Sequence, residues 1–323
     1  LAAMKLTKKS VAVGVKLRAL FERSIKKAVG REKRVALLLS GGVDSTVAGI
    51  ATHRAGYEVE AYTFQLGDKP NFDSKWAQHT AKTMGWRWNL IKLPTDVRDV
   101  LALLPTMYRD YSCRNKRNFE CLWPLLLTYP HVREKHVVAG MMADNHCYLT
   151  RKAMKMGATG KDGDKRVFDK MRHDAFDRLH REGDSAFGPD YNPSNAWMNL
   201  QVERKYGKVG VDPFRDKAVF DLFIQFSWWE MHSPRQKHFI AGTYPEVLQY
   251  VGWRNHQNYQ LAGKIDDHFE LLLDTPFNFR KRGRTLEMFA DVRRYPEEVS
   301  VVLDKLESKY GERAKKLQAR RKQ

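Results

Sequence analysis

Ser40-Gly41-Gly42-Val43-Asp44-Ser45-Thr46 brings together the residue types that cradle a phosphate. Gly41 and Gly42 let the backbone come close to an anion, while Ser40, Ser45 and Thr46 add hydroxyl donors. A helix opening at this point contributes its free N–H groups and the positive end of its dipole. Asp44 breaks the pattern, because a carboxylate repels phosphate unless a cation stands between them. Mg2+ bridging Asp44 to phosphate oxygens resolves the conflict. Gly-Gly before Asp-Ser is also an ordinary strand-to-helix turn. The complete SGGxDS string, directly after the apolar residues 35–39, is the more specific signal. It is not a Walker loop, since GxxxxGK followed by Ser or Thr occurs nowhere in the chain. A second carboxylate, Asp144, follows the run Val137-Val-Ala-Gly140-Met-Met-Ala. On spacing alone it reads equally well as a second Mg2+ ligand or as a helix N-cap.

The elements that must position these residues are legible from apolar periodicity. Leu17, Leu20, Phe21, Ile25 and Val29 fall at helical spacing, so residues from about 14 to 30 form an amphipathic helix. A strand over 35–39, a helix over 44–55, a strand over 58–64 and a helix over 73–84 follow, then a strand over 86–91. Residues 95–107 and 119–129 read as helices, and 135–140 as a fourth strand. Strands alternating with helices predict an α/β fold, a parallel sheet covered on both faces. Such sheets bind ligands beyond the carboxyl ends of their strands, where strand order reverses. If strands one and four are neighbours, Asp44 and Asp144 share that crevice. Residues 151–190 are densely charged in both signs with little core-forming material, which reads as a mobile, partly helical insertion or lid over the site. From Ala196 onward helical patterning dominates, and the aromatic run Phe220–Trp229 reads as core. The expected division is a nucleotide-binding core over 1–150, the insertion over 151–195, and a mostly helical part with a basic tail over 196–323.

The 323 residues include 57 Lys and Arg against 38 Asp and Glu, a net charge of +19. Such an excess favours polyanionic partners, nucleic acid first among them, although an enzyme handling ATP is also served by positive charge. The charge does not choose between these readings. No apolar run approaches the roughly 20 residues that span a bilayer. Val11–Val15 is too short for a signal-peptide core, and Cys113, Cys121 and Cys147 form no CxxC, so a cytoplasmic location without a disulfide framework is expected. His131-Val-Arg-Glu-Lys-His136 misses the spacing of a zinc-protease motif, and no second cluster joins Asp144, His146 and Cys147 into a zinc site. Asp266, Asp267 and His268 read as a solvated helix face.

The segment from Lys16 to Asp44, Leu-x-x-x-Phe-x-x-x-Ile-x-x-Ala-Val followed by a strand and SGGVDS, resembles the synthetase domain of asparagine synthetases and β-lactam synthetase. These are PP-loop ATP pyrophosphatases. Thr63-Phe-Gln-Leu-Gly67, Phe72-Asp-Ser and Ala81-Lys-Thr-Met-Gly85 continue the likeness. Val137-Val-Ala-Gly-Met-Met-Ala-Asp144 is similar to the family's V-L-S-G-E-G-A-D-E segment, and Val211-Asp-Pro-Phe-Arg-Asp216 to its V-P-F-L-D motif. The likeness covers roughly residues 15–145 and 196–265.

The resemblance implies a five-stranded parallel sheet of the adenine nucleotide α-hydrolase kind. It implies ATP with its pyrophosphate in the Ser40–Thr46 loop, Gly140 beside it, and adenine near Leu38 and Phe64. Mg2+ falls to Asp44 and Asp144, and Lys237 takes the place of a lysine that contacts phosphate and stabilises the transition state. The implied activity is an AMP-forming ligase that adenylates a small carboxylate and passes the acyl group to ammonia or an amine. The alternative, motivated by charge, is a PP-loop enzyme that modifies a nucleic acid through an adenylated intermediate. Two departures bear on the acceptor: Met141 and Asn145 stand where the family has glutamates. The chain opens Leu1-Ala2 with no cysteine before Cys113, so the glutaminase domain is expected to be absent and ammonia to come free or from a separate glutaminase.

Overall fold

The computed structural model describes residues 6–147, 164–182, 194–232, 235–252, 263–281 and 283–320. Helix α1 (Lys8–Val29) leads into β1 (Arg34–Leu38), α2 (Val43–Arg54), β2 (Glu58–Leu66), α3 (Phe72–Met84) and β3 (Arg87–Leu93). Helices α4 (Val97–Arg109) and α5 (Lys116–Thr128) precede β4 (His136–Val138) and the short α6 (Ala143–Cys147). Next come α7 (Asp164–Glu182), α8 (Asn195–Lys205) and β5 (Val209–Val211). Beyond β5 the described elements are helical: α9 (Lys217–Phe223), α10 (Trp228–His232), α11 (His238–Ala241), α12 (Pro245–Val251), α13 (Ile265–Glu270), α14 (Arg284–Ala290) and α15 (Pro296–Arg320).

The five strands run parallel in the order β3-β2-β1-β4-β5. The fold class read from the sequence is therefore the one observed. Pairing of β1 with β4, with Ala36 opposite Val137, makes these two strands neighbours and puts the reversal of strand order between them. The fifth strand, which the resemblance implied without placing it, is β5: its three residues are too short to show a period, and its pairing comes from β4.

Alternation along β1 divides the interior. Val35, Leu37 and Leu39 join α1, α2 and α3 in one apolar cluster, whereas Ala36 packs with α4 and α5 in a second. Residues beyond 194 contribute to both clusters, Phe214 and Phe223 to the first and Trp197 and Phe269 to the second. The helical part thus shares its core with the sheet. Phe220, Phe223 and Trp228 are buried, as the aromatic run suggested.

Two readings need correction. Of the segment taken as a charged insertion with little core, helix α7 is packed: Phe168, Arg172 and Phe176 are buried. Arg172 is buried because its guanidinium donates to the carbonyls of Phe223 and Phe226, at 3.1 and 3.0 Å, and pairs with Asp169. The other parts of that segment, 151–163 and 183–193, lie outside the described residues. His268 is also no solvated residue, since it is buried with its ring 5.5 Å from that of Trp123. Backbone of the C-terminal helix continues to Arg320, and the side chains of the basic tail fall largely outside the described ones. All three cysteines are buried and outside any disulfide among the described residues, and no helix among those residues is long and apolar enough to cross a membrane.

Candidate nucleotide site

The loop after β1 is tied together by its own hydroxyls. Ser45 Oγ lies 3.1 Å from Ser40 Oγ, accepts from the Ser40 N–H at 3.2 Å, and donates to the Gly42 carbonyl at 3.2 Å. Gly41 has φ +70°, where a side chain is strained, and a Cβ there would stand 2.8 Å from Trp76 Cβ. Helix α2 starts directly afterwards with Gly42 as its N-cap, and no side chain caps it. Its first N–H groups and its dipole are therefore directed at whatever occupies the crevice. Thr46 is buried, with its N–H donating to the Gly42 carbonyl at 3.0 Å. Hydroxyl groups thus shape this loop as much as they line it.

Gly140 brings the end of β4 against that loop: a Cβ on it would stand 2.6 Å from the Asp44 carbonyl carbon and 2.7 Å from the Ser45 nitrogen. Two residues further, the Met142 N–H donates to Asp212 Oδ2 at 3.0 Å, and Asp212 Oδ1 accepts from the Phe214 N–H at 3.0 Å. Asp212, from the Val-Asp-Pro-Phe motif after β5, so anchors the turn that leads to Asp144. Burial raises its carboxyl to about 7, against the lowering pull of these N–H donors and of Arg215.

Asp44 in the first turn of α2 and Asp144 in α6 converge on one ammonium, that of Lys237, which donates to Asp44 Oδ2 and Asp144 Oδ1. Lys237 is 1% exposed. Burial pulls its pKa down, but the charges of Asp144 and Asp44 outweigh that and hold the ammonium protonated above the ordinary lysine range. Its backbone is left-handed, φ +57° and ψ +27°, which a non-glycine residue adopts only when its surroundings impose it. The surroundings are specific. His232 Nδ1 accepts the Lys237 N–H at 3.2 Å, and His232 Nε2 donates to the Cys147 carbonyl at 2.8 Å. One imidazole therefore joins the lysine to the helix that carries Asp144. Burial lowers its pKa to about 4, so it stays neutral and keeps this acceptor–donor arrangement. On the other side, Gly14 of α1 meets Gly242, whose carbonyl oxygen would be 2.0 Å from a Cβ on Gly14. Arg18 adds donors to the Thr243 carbonyl at 3.0 and 2.7 Å.

Leu38 and Phe64 lie near the carboxyl ends of adjacent strands, half-buried on the face that packs against α4 and α5. The fold thus brings Asp44, Asp144 and Lys237 into contact, and sets Gly140 against the loop of Ser40, Gly41, Gly42, Ser45 and Thr46. Asp212, His232 and Gly14 escaped sequence reading, because each acts through residues far away in the chain. Only Asp212 carried a signal, its place in the Val-Asp-Pro-Phe string. Met141 is half-buried beside the site, and the side chain of Asn145 lies outside the described ones.

The donor set fits a divalent cation. Two carboxylates from separate elements bracket a single cationic point, which the lysine ammonium marks. Among the described residues no group of three or more His, Cys, Asp or Glu side chains could hold a metal. A cation between Asp44 and Asp144 would therefore share its coordination with phosphate oxygens.

The asparagine synthase family model matches residues 16–160. The resemblance read from the motifs is borne out over that stretch, which includes the loop, β4 and Asp144. The tRNA-specific 2-thiouridylase MnmA 2 of Phocaeicola vulgatus is 33% identical over 102 residues, covering 29% of this chain and 28% of that protein. The chain thus spans under a third of the length of this curated relative. Among solved structures, NMN synthetase from Francisella tularensis aligns over 85% of this chain and 97% of its own, with 14% identity and a TM-score of 0.31. The U34-tRNA thiolase NcsA from Methanococcus maripaludis aligns over 85% and 79%, with 12% identity and a TM-score of 0.31.

Proposed function

We propose that this chain is an ATP-dependent, AMP-forming ligase that activates a small carboxylate and transfers the acyl group to ammonia or an amine. The observation that carries this reading is the convergence of Asp44, Asp144 and Lys237 beside an uncapped helix N-terminus at the β1–β4 crevice. The loop and the first N–H groups of α2 bind the β- and γ-phosphates, leaving the α-phosphorus to the acceptor. A carboxylate oxygen of the acceptor attacks that phosphorus, the bridge to pyrophosphate breaks, and the amine then displaces AMP from the acyl carbon. Lys237, kept cationic by its two carboxylates, is the donor that offsets negative charge on the transferring phosphoryl group. Asp44 and Asp144 would hold Mg2+, which when bound neutralises charge on the leaving pyrophosphate. Leu38 and Phe64 offer half-buried apolar surface to the adenine.

Chromatography of the nucleotide products, with a panel of carboxylates and ammonia, tests the proposal. AMP and pyrophosphate are expected, with pyrophosphate exchange lost in Asp44→Ala. ADP and phosphate as products, or exchange that survives Asp44→Ala, contradict it.

A second reading has specific support. Net charge of +19 and the 33% identity to a tRNA-specific thiouridylase over 102 residues favour a nucleic acid as the acceptor, adenylated through the same loop. In that case a base or a group attached to one replaces the free carboxylate.

A further inference from the structure

Helix α3 lies directly beside the phosphate loop, and its outward face alternates aromatic and basic residues. Helical spacing places Phe72, Lys75, Trp76, His79 and Lys82 along one stripe. Its near end touches the loop, since Trp76 Cβ is the atom that leaves Gly41 no room for a side chain. Phe72 is 52% exposed and stacks on Trp76, with ring centroids 5.6 Å apart and planes at 25°. Trp76 in turn meets the His79 ring edge-on at 6.4 Å. Behind the stripe, Gly252 packs against Trp76, and His79 Nε2 lies 3.4 Å from the Tyr250 carbonyl oxygen. Tyr250 itself is 65% exposed.

Phe72 is a large, half-exposed aromatic residue at the first turn of a surface helix, and lysines stand beside it. Lys75, His79 and Lys82 are exposed, and neither lysine belongs to an ion pair among the described residues. The single acid of α3, Asp73, is buried. The stripe is thus positive and aromatic throughout, and it begins at the loop that binds phosphate. A membrane surface would ask for a broader apolar face, and an acidic peptide would not need stacked rings. Alternating π-faces and ammonium groups match the bases and phosphates of a single strand.

We propose that the Phe72–Lys82 face of α3 binds single-stranded nucleic acid, with a base stacked on the exposed Phe72 ring, which Trp76 backs, and phosphates on Lys75 and Lys82. This deepens the second reading of the acceptor and rests on it. The strand would lead its reacting base along the stripe towards the loop end of β1, where the activated phosphorus lies.

Fluorescence anisotropy with a labelled single-stranded oligouridine of about 12 nucleotides tests the platform. Phe72→Ala should weaken binding roughly tenfold while melting at the temperature of the wild type. Lys75→Gln with Lys82→Gln should lower the salt dependence of binding by about 1.4 in log–log slope, because two phosphate contacts are removed. Wild-type affinity retained in both variants overturns the proposal, whatever the protein does with ATP. So does a concentration-dependent dimer that Phe72→Asp disperses without changing oligonucleotide binding, which would assign the stripe to a second copy of the chain. MgATP binding by the wild-type protein is measured separately, so that failure of the nucleotide site and failure of the platform are told apart.

Discussion

The two sides of the candidate site are held in different ways. The hydroxyl bonds of the Ser40–Thr46 loop run within it, joining Ser40, Gly42 and Ser45. Lys237 arrives from 193 residues beyond Asp44 and depends on contacts with α1, α6 and α10. The loop is local chemistry encoded in one string. The lysine corner is a tertiary assembly, and its strained backbone persists only while His232 and the Gly14–Gly242 crossing hold it. Anion binding can therefore survive damage that removes transition-state stabilisation, and variants should separate the two.

The largest separation is expected from Lys237→Met. It removes the ammonium that joins Asp44 and Asp144, and loss of such a donor lowers turnover by about 10²–10³-fold. Pyrophosphate exchange measures this, and MgATP binding should weaken less than exchange, because the loop remains intact. Equal losses in both would erase the contrast between the two sides. Next comes Gly14→Ala, whose Cβ would press within 2.0–2.6 Å of backbone atoms of Gly242 and Thr243. Overpacking of this kind costs about 1–3 kcal/mol and should lower the melting temperature by several degrees, with activity falling as Lys237 is displaced.

A smaller effect concerns the buried Glu203, which sits over Gly210 of β5 and accepts from Tyr129 Oη at 3.2 Å and Asn199 Nδ2 at 2.6 Å. Burial raises its carboxyl from 4.5 to about 7, opposed by the Tyr129 hydrogen bond and the charge of Arg215. The folded state thus binds this proton more tightly than the unfolded one. The stability it contributes is complete below about pH 4.5 and is lost as pH rises through 7. Glu203→Gln should melt higher than the wild type near pH 8, and the gap should close towards pH 5, as thermal denaturation across pH would reveal. A gap that is constant with pH would show that this carboxyl does not titrate as described. Arg18→Ala is the mildest change, trimming two donors to the Thr243 carbonyl. It should cost about 0.5–1.5 kcal/mol, read in denaturant unfolding, with activity nearly unchanged.

The same contrast explains what the sequence made legible. The loop and the alternation of strands and helices follow from local strings or from the period of apolar residues, whereas the neighbouring of β1 and β4 was only a condition until the sheet order was known. Asp144 was ambiguous on spacing, and pairing of β1 with β4 is what brings it to Asp44. Lys237 came from resemblance alone, since nothing around it in Arg235-Gln-Lys-His238 has a period or motif. His232 and Glu203 were invisible for the same reason, each being defined by a partner from a distant element, whereas Asp212 showed only as part of the Val-Asp-Pro-Phe string. Helix α7 was misjudged because Arg172 counts as charged in a sequence, yet is buried once the carbonyls of Phe223 and Phe226 accept its guanidinium.

The central claim is that the loop binds the pyrophosphate of ATP with Asp44 acting through a divalent cation. Calorimetric titration of ATP into the wild-type protein and into Asp44→Asn, each with and without Mg2+, tests it most directly. Binding should tighten with Mg2+ in the wild type and lose that dependence in Asp44→Asn. ATP binding indifferent to Mg2+ in the wild type, or no ATP binding at all, would contradict it.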